Sequence, residues 1–219
     1  MTTQAAPALT GPRPTTGVPS RVADRHLAGV VTFIEAAQFM TVIMLAASMA
    51  PGYDVGGGAI SDLGVIAETA LLFNASLVLV GVLKVVSGVL LARIGGGRGL
   101  LALYALAGIG AIGAGLIPLD RGGAHGLFAL AAFVVFNLQA IAARRVSEGP
   151  MAAIGVVAGL VGLAFVGLMV VGDSGDPAVF GPIGHGGAER MIVYPVMLWL
   201  LAFGGYLLAR EPHEPPNPD

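Results

Sequence analysis

Six runs of apolar residues, separated by short polar or glycine-rich breaks, organise this sequence: Ala28–Met49, Glu68–Leu91, Leu100–Pro118, Gly126–Ala143, Met151–Val171 and Met191–Leu208. At a rise of about 1.5 Å per residue, runs of roughly 18 to 24 residues match a hydrocarbon core of about 30 Å. Each run therefore predicts one transmembrane helix. The fold class expected is all-α, a membrane bundle of six transmembrane helices over residues 28–209. The run ahead of it, residues 1–27, is rich in Thr, Pro, Ala and Gly, carries Arg13, Arg21 and Arg25, and reads as a disordered basic tail. Residues 210–219 form a second, short tail.

Charge supplies the orientation. With the N-terminus inside, the cytoplasmic segments hold Arg13, Arg21, Arg25, Arg93, Arg98, Arg144, Arg145 and Arg210, against Arg121 and Arg190 outside. That asymmetry is the positive-inside pattern and predicts both termini in the cytoplasm of a prokaryotic cell, with the bundle in its plasma membrane. The outer segments are acidic instead, with Asp54, Asp62, Glu68, Asp120, Asp173, Asp176 and Glu189. Ser48-Met49-Ala50 after the first run has the look of a signal-peptide cleavage site. The run is longer than the usual apolar region of about 7–15 residues, however, and holds Glu35 and Gln38, so an uncleaved first helix is expected.

Composition agrees with the pattern. Of 219 residues 56% are hydrophobic and 11% charged, and the mean hydropathy is +0.86; a soluble domain carries about a quarter charged residues to cover its surface. The net charge of −2 excludes a nucleic-acid partner, which needs a basic face. There is no cysteine, so disulfides and thiolate metal sites are excluded. Membrane lipids are the expected partners. The 34 glycines fall largely inside the apolar runs. Gly155 and Gly159, Ala158 and Gly162, and Ala107, Ala111 and Gly115 repeat at four-residue spacing, as in close helix contacts within a bundle or in a homo-oligomer. Pro195 should kink the last helix.

Two polar groups stand out. Glu35 and Lys84 both lie roughly 10–12 Å deep from the cytoplasmic side. A charge in hydrocarbon costs about 2.5–3.5 kcal/mol on insertion scales, so an ion pair between the first two helices is expected. The second group, Ser61, Asp62, Asp120, His125, His185, Glu189 and Arg190, falls at the outer ends of helices. Asp62, Asp120, His125 and Glu189 have the donor chemistry to hold a divalent metal, and His125 or His185 that to act as a base toward Ser61. Equally, helix capping and a tight turn account for Asp62, Asp120 and Glu189. No HExxH, GxSxG or P-loop pattern is present.

Ile60-Ser61-Asp62-Leu63-Gly64, Asn74, Pro118-Leu119-Asp120 with His125-Gly126, and Glu189-Arg190 followed by Tyr194-Pro195 and Trp199 together resemble the prokaryotic membrane family called domain of unknown function 998, over about Thr32 to Leu208. The resemblance implies six helices and marks Ser61, Asp62, Asn74, Asp120, His125, Glu189 and Arg190 as motif positions; it implies no activity, and His185 lies outside it. Three functional readings follow: a binding or sensing protein whose outer cluster takes a lipid headgroup, solute or ion; a membrane-embedded lipid hydrolase in which Asp62, Asp120, His125 and Glu189 hold a metal or share acid–base duty; and a small transporter lined by Glu35, Lys84 and Asn74. The nearly apolar stretch between Asn74 and Lys84 weighs against the last.

Overall fold

The computed structural model describes residues 18–209. Six α-helices follow one another: α1 (Val18–Met49), α2 (Ala70–Leu91), α3 (Gly97–Leu116), α4 (Ala124–Ala142), α5 (Gly149–Asp173) and α6 (Gly184–Ala209). No strand occurs among the described residues. Helix α1 begins at Val18, ten residues ahead of the first apolar run, so the basic segment assigned to residues 1–27 is helical from there on. A polar turn keeps its helical hydrogen bonds wherever water or headgroups can solvate its side chains, and apolar length therefore marks the hydrocarbon and not the helix end. Asp24 lies 3.6 Å from Arg93 at this exposed end. The remainder of both expected tails, Arg13 and Arg210 included, lies outside the described residues.

Five helical stretches are long and apolar enough to cross a membrane. One of them, Ala70–Leu116, runs for 47 residues and contains both α2 and α3. A straight helix of that length would extend about 70 Å. The chain instead reverses at a π-type turn, Ala92–Gly96, where Gly95 has φ +117° and Gly97 φ +72°. Those left-handed conformations favour glycine. Helices α2 and α3 then pack antiparallel through Gly81 and Gly108, where a Cβ on either would come within 2.6 Å of the other's carbonyl oxygen.

Each helix packs on its sequence neighbours, and α6 returns to α1, so the six close into a ring, with α4 also touching α6 across it. Small residues permit the approach, since lipid tails offer helices no hydrophobic reason to associate. Gly29 meets Gly204 between α1 and α6. Gly155, Ala158, Gly159 and Gly162 are buried against α4 and α6, and Ala107, Ala111 and Gly115 within α3's contacts. These faces are thus occupied inside the chain. Helix α6 continues through Pro195. Nearby, Asn137 of α4 donates from Nδ2 to the Ile192 carbonyl at 3.3 Å, adding a bond beside the turn that proline weakens.

The arginines Arg21, Arg25, Arg93, Arg98, Arg144 and Arg145 lie toward one end of the ring, and the turns 50–69, 117–123 and 174–183 form the other, acidic end. Between them a polar seam joins α1 to α2. Thr32 donates to Ser87 at 3.3 Å, Glu35 Oε1 lies 2.5 Å from Lys84 Nζ, and Ser76 donates to Gln38 Oε1 at 2.7 Å. The charged pair is fully buried. The Lys84 ammonium also faces the ring of Phe136 on α4 at 4.2 Å and that of Tyr104 on α3 at 5.3 Å.

Replacing Lys84 with Met should strand the Glu35 carboxylate and destabilise the protein in detergent by about 3–5 kcal/mol. Adding Glu35→Gln to that variant should restore part of the loss in a thermal or denaturant unfolding series. No rescue by the second change would show that the two side chains are not coupled.

Candidate functional site

The acidic end is built around the turn that follows α1. Asp54 accepts from the backbone N–H groups of Gly56 (3.0 Å) and Gly57 (2.9 Å), closing a tight turn. Asp62 accepts from Ala59 N at 2.8 Å and so stays within its own 3₁₀ turn, Ile60–Gly64. Asn74, on α2, donates to the Gly64 carbonyl at 2.8 Å and ties the end of that turn to the helix.

Helix α6 grips the same loop from the other side. Glu189 accepts from Ile60 N at 2.6 Å, across 129 residues of sequence. Arg190 donates to the carbonyls of Gly186 (2.8 Å) and Gly58 (3.1 Å) and to the Tyr53 hydroxyl (2.6 Å). Tyr53 in turn donates to Ala59 O at 2.8 Å, and its ring lies 5.7 Å from the guanidinium. Burial pushes the Tyr53 phenol above its usual range, so it stays protonated and available as that donor. Arg190 is thus engaged with carbonyls and a phenol. A five-donor guanidinium suits several fixed acceptors better than one carboxylate.

His125 opens α4. Its Nδ1 lies 2.7 Å from the Ile117 carbonyl and 3.2 Å from that of Ala114. Facing two acceptors, Nδ1 must carry the proton, and in the neutral ring Nε2 then presents a lone pair. His185 bonds through Nε2 to Asp173 Oδ1 at 3.1 Å and sits edge-on to Phe180 at 5.1 Å.

These elements enclose a vestibule of about 690 Å³. Ser61, Asp62, His125, Asp173, His185 and Glu189 supply its polar side, and Leu130, Phe133, Val166, Met169 and Val170 of α4 and α5 its apolar wall. Ser61, His125, Ala129, Phe133, Glu189 and Ile192 also line a second, narrower cavity of about 50 Å³ that leads into the ring. Its other walls include Phe39, Phe73 and Phe136, the last being the ring against Lys84.

Of the positions singled out in the sequence, Ser61, Asp62, His125 and Glu189 come together around this vestibule. Asn74 and Arg190 lie behind it as supports, and Asp120 is exposed and lines neither cavity. Among the described residues no three His, Asp or Glu gather closely enough to hold a metal ion, so Asp62, Asp120, His125 and Glu189 do not form the ligand set expected of them. The reason is local: Asp62 is turned to its own loop, and Asp120 sits on a separate exposed turn. Tyr53 and the α4–α5 wall are not evident from sequence. An aromatic hydroxyl one residue after Pro51-Gly52 is the only trace of the first, and apolar residues on a membrane helix look alike whether they face lipid or a cavity.

Tyr53→Phe should cost about 1.5–3 kcal/mol, the usual worth of a hydrogen bond to a charged group, and Arg190→Lys should cost more because one ammonium does not span three acceptors. Unfolding of the two variants in detergent measures this; unchanged stability in both would show that the clamp does not hold the loop.

No curated protein and no solved structure matches the chain. The model of the family described as "Protein of unknown function (DUF998)" matches residues 33–206, a stretch that takes in part of α1, the whole of α2 to α5, most of α6 and every residue of the vestibule, and the chain belongs to that family.

Proposed function

We propose that this chain is a plasma-membrane protein of six crossings, with both termini cytoplasmic, that binds an amphiphile in the vestibule at its outer face. The observation that carries the reading is the shape of the site: a polar floor and an apolar wall in one cavity. A volume of about 690 Å³ lies in the range of small-molecule pockets, roughly 300–1,000 Å³. Leu130 and Val170 line it and keep about half of their surface uncovered by the protein, 43% and 52%. A ligand can therefore lay its tail along that wall and its head among Ser61, His125 and Glu189. The orientation is supported by the concentration of arginine at the opposite end, and six crossings by the antiparallel return of α3 along α2.

Binding is favoured over hydrolysis because Ser61 Oγ and His125 Nε2, the two groups that would form a nucleophile and its base, make no hydrogen bond to each other. Transport is disfavoured by Phe136, which stands between the narrow cavity and the buried Lys84.

Ala129→Trp places a large ring in the neck shared by the two cavities. The protein purified in a mild neutral detergent should retain or take up a single-chain amphiphile, seen as a mass adduct by native mass spectrometry, and the variant should lose it at unchanged thermal stability. An adduct that persists in the folded variant would remove the vestibule as its site.

A further inference from the structure

We propose that the vestibule selects amphiphiles whose head carries a cationic nitrogen, over those with an anionic or uncharged head. This deepens the amphiphile reading and rests on it. Asp62, Asp173 and Glu189 bring three carboxyl groups to the cavity, and among the described residues no Lys or Arg side chain lines it. Arg190, next to Glu189 in sequence, could have supplied a counter-charge. Its guanidinium is turned away instead, with Nη1 and Nη2 held by Gly58, Gly186 and Tyr53.

The second observation is His125. The ring is 4% exposed, its Nδ1 is committed to two carbonyl oxygens, and Nε2 makes no hydrogen bond, although the residue borders both cavities. A buried imidazole held with its lone pair toward a cavity is an acceptor waiting for a donor. Ser61 adds a hydroxyl without a side-chain partner. The cavity thus presents three carboxyl groups, each steadied by one bond made to Ala59 N, Ile60 N or His185, together with the acceptors of Ser61 and His125. An ammonium, or an amine with its N–H donors, answers that set. A phosphate or sulfate meets three carboxyl groups, and the one imidazole beside them that could carry charge, His185, is already bonded to Asp173; the low-dielectric apolar wall strengthens both the attraction and the repulsion.

The chemistry is that of an alkylammonium, and it has two sources, a membrane amphiphile or a small cation in water. The chain has a single tryptophan, Trp199, stacked on Phe203 at 4.8 Å in the core, which reports unfolding without touching the site. Unfolding of the full chain in neutral maltoside, followed by Trp199 fluorescence, is measured with equal-length probes: dodecyltrimethylammonium, dodecyl phosphate and an uncharged dodecanoyl glycerol. Free tetramethylammonium is the fourth arm. Ligands that bind only the folded state raise the midpoint according to concentration and affinity.

The alkylammonium should bind about tenfold or more tighter than the other two tailed probes. Asp173→Asn, at an exposed position, should reduce that preference while retaining the uncharged probe. Equal stabilisation by all three tailed probes, or a preference for the phosphate, would overturn the cationic selectivity and leave the amphiphile reading standing. Stabilisation by tetramethylammonium equal to that by its long-chain counterpart would uphold the cationic chemistry and overturn the amphiphile reading. No stabilisation by any probe would overturn both.

Discussion

A charge in hydrocarbon must be matched from within, and in this protein the match between Glu35 and Lys84 arranges everything around it. The pair sits in a seam with Thr32–Ser87 on one side and Gln38–Ser76 on the other, fixing the register of α1 against α2 to within one helical turn. Around the ammonium gather Tyr104 from α3 and Phe136 from α4, so four of the six helices take their position from one side chain. The arrangement is costly. Glu35 Oε2, the Tyr104 hydroxyl and the Gln139 amide are buried without hydrogen-bond partners, and a well-packed apolar core of similar volume would often be as stable or more so. What the polar seam supplies is a single register, which sliding apolar helices in lipid would lack.

The consequence reaches the acidic end through Phe136. That ring covers Lys84 on one side and closes the narrow cavity on the other. The depth of the space above it is therefore set by the ion pair. At the mouth a different rule operates. Backbone groups in the loop 53–64 leave the regular helix ladder and need partners, and α6 supplies them through Glu189 and Arg190. The two acid–base motif residues thus act first as loop anchors. Holding the loop in place also keeps Ser61 and the Asp62 turn at the rim of the cavity that His125 lines as well. Glu189 anchors the loop and lines the cavity with one carboxyl group.

Membership of a family defined without an activity places the weight of function on the site itself. The proposed reading rests on a cavity of ligand size, an apolar wall facing a polar one, and acceptors fixed by bonds made behind them. Among the described residues Ser61 Oγ and His125 Nε2 make no hydrogen bond to each other, and no three His, Asp or Glu gather as a metal-ligand group. The exposed Asp120, although part of the motif order, stands apart on its own turn.

Much of the architecture is legible in the residue pattern because the bilayer enforces it. Apolar runs long enough for one crossing, arginines at alternate breaks and two charges at equal depth each follow from the cost of exposing polar groups to hydrocarbon, a cost read residue by residue. The sequence by itself therefore determined the helices, the polarity of the two ends and the candidates Ser61, Asp62, His125 and Glu189. The start of α1 escaped it, because a solvated helical turn leaves no hydropathy mark. Only the tertiary structure decided that Asp120 is excluded, that Arg190 bonds to carbonyls and Tyr53, and that Asn74 is a brace. It alone formed the vestibule, since a cavity is the space that six packed helices fail to fill. That depends on where Gly81 meets Gly108 and Phe136 meets Lys84, contacts between residues far apart in the chain that no local pattern records.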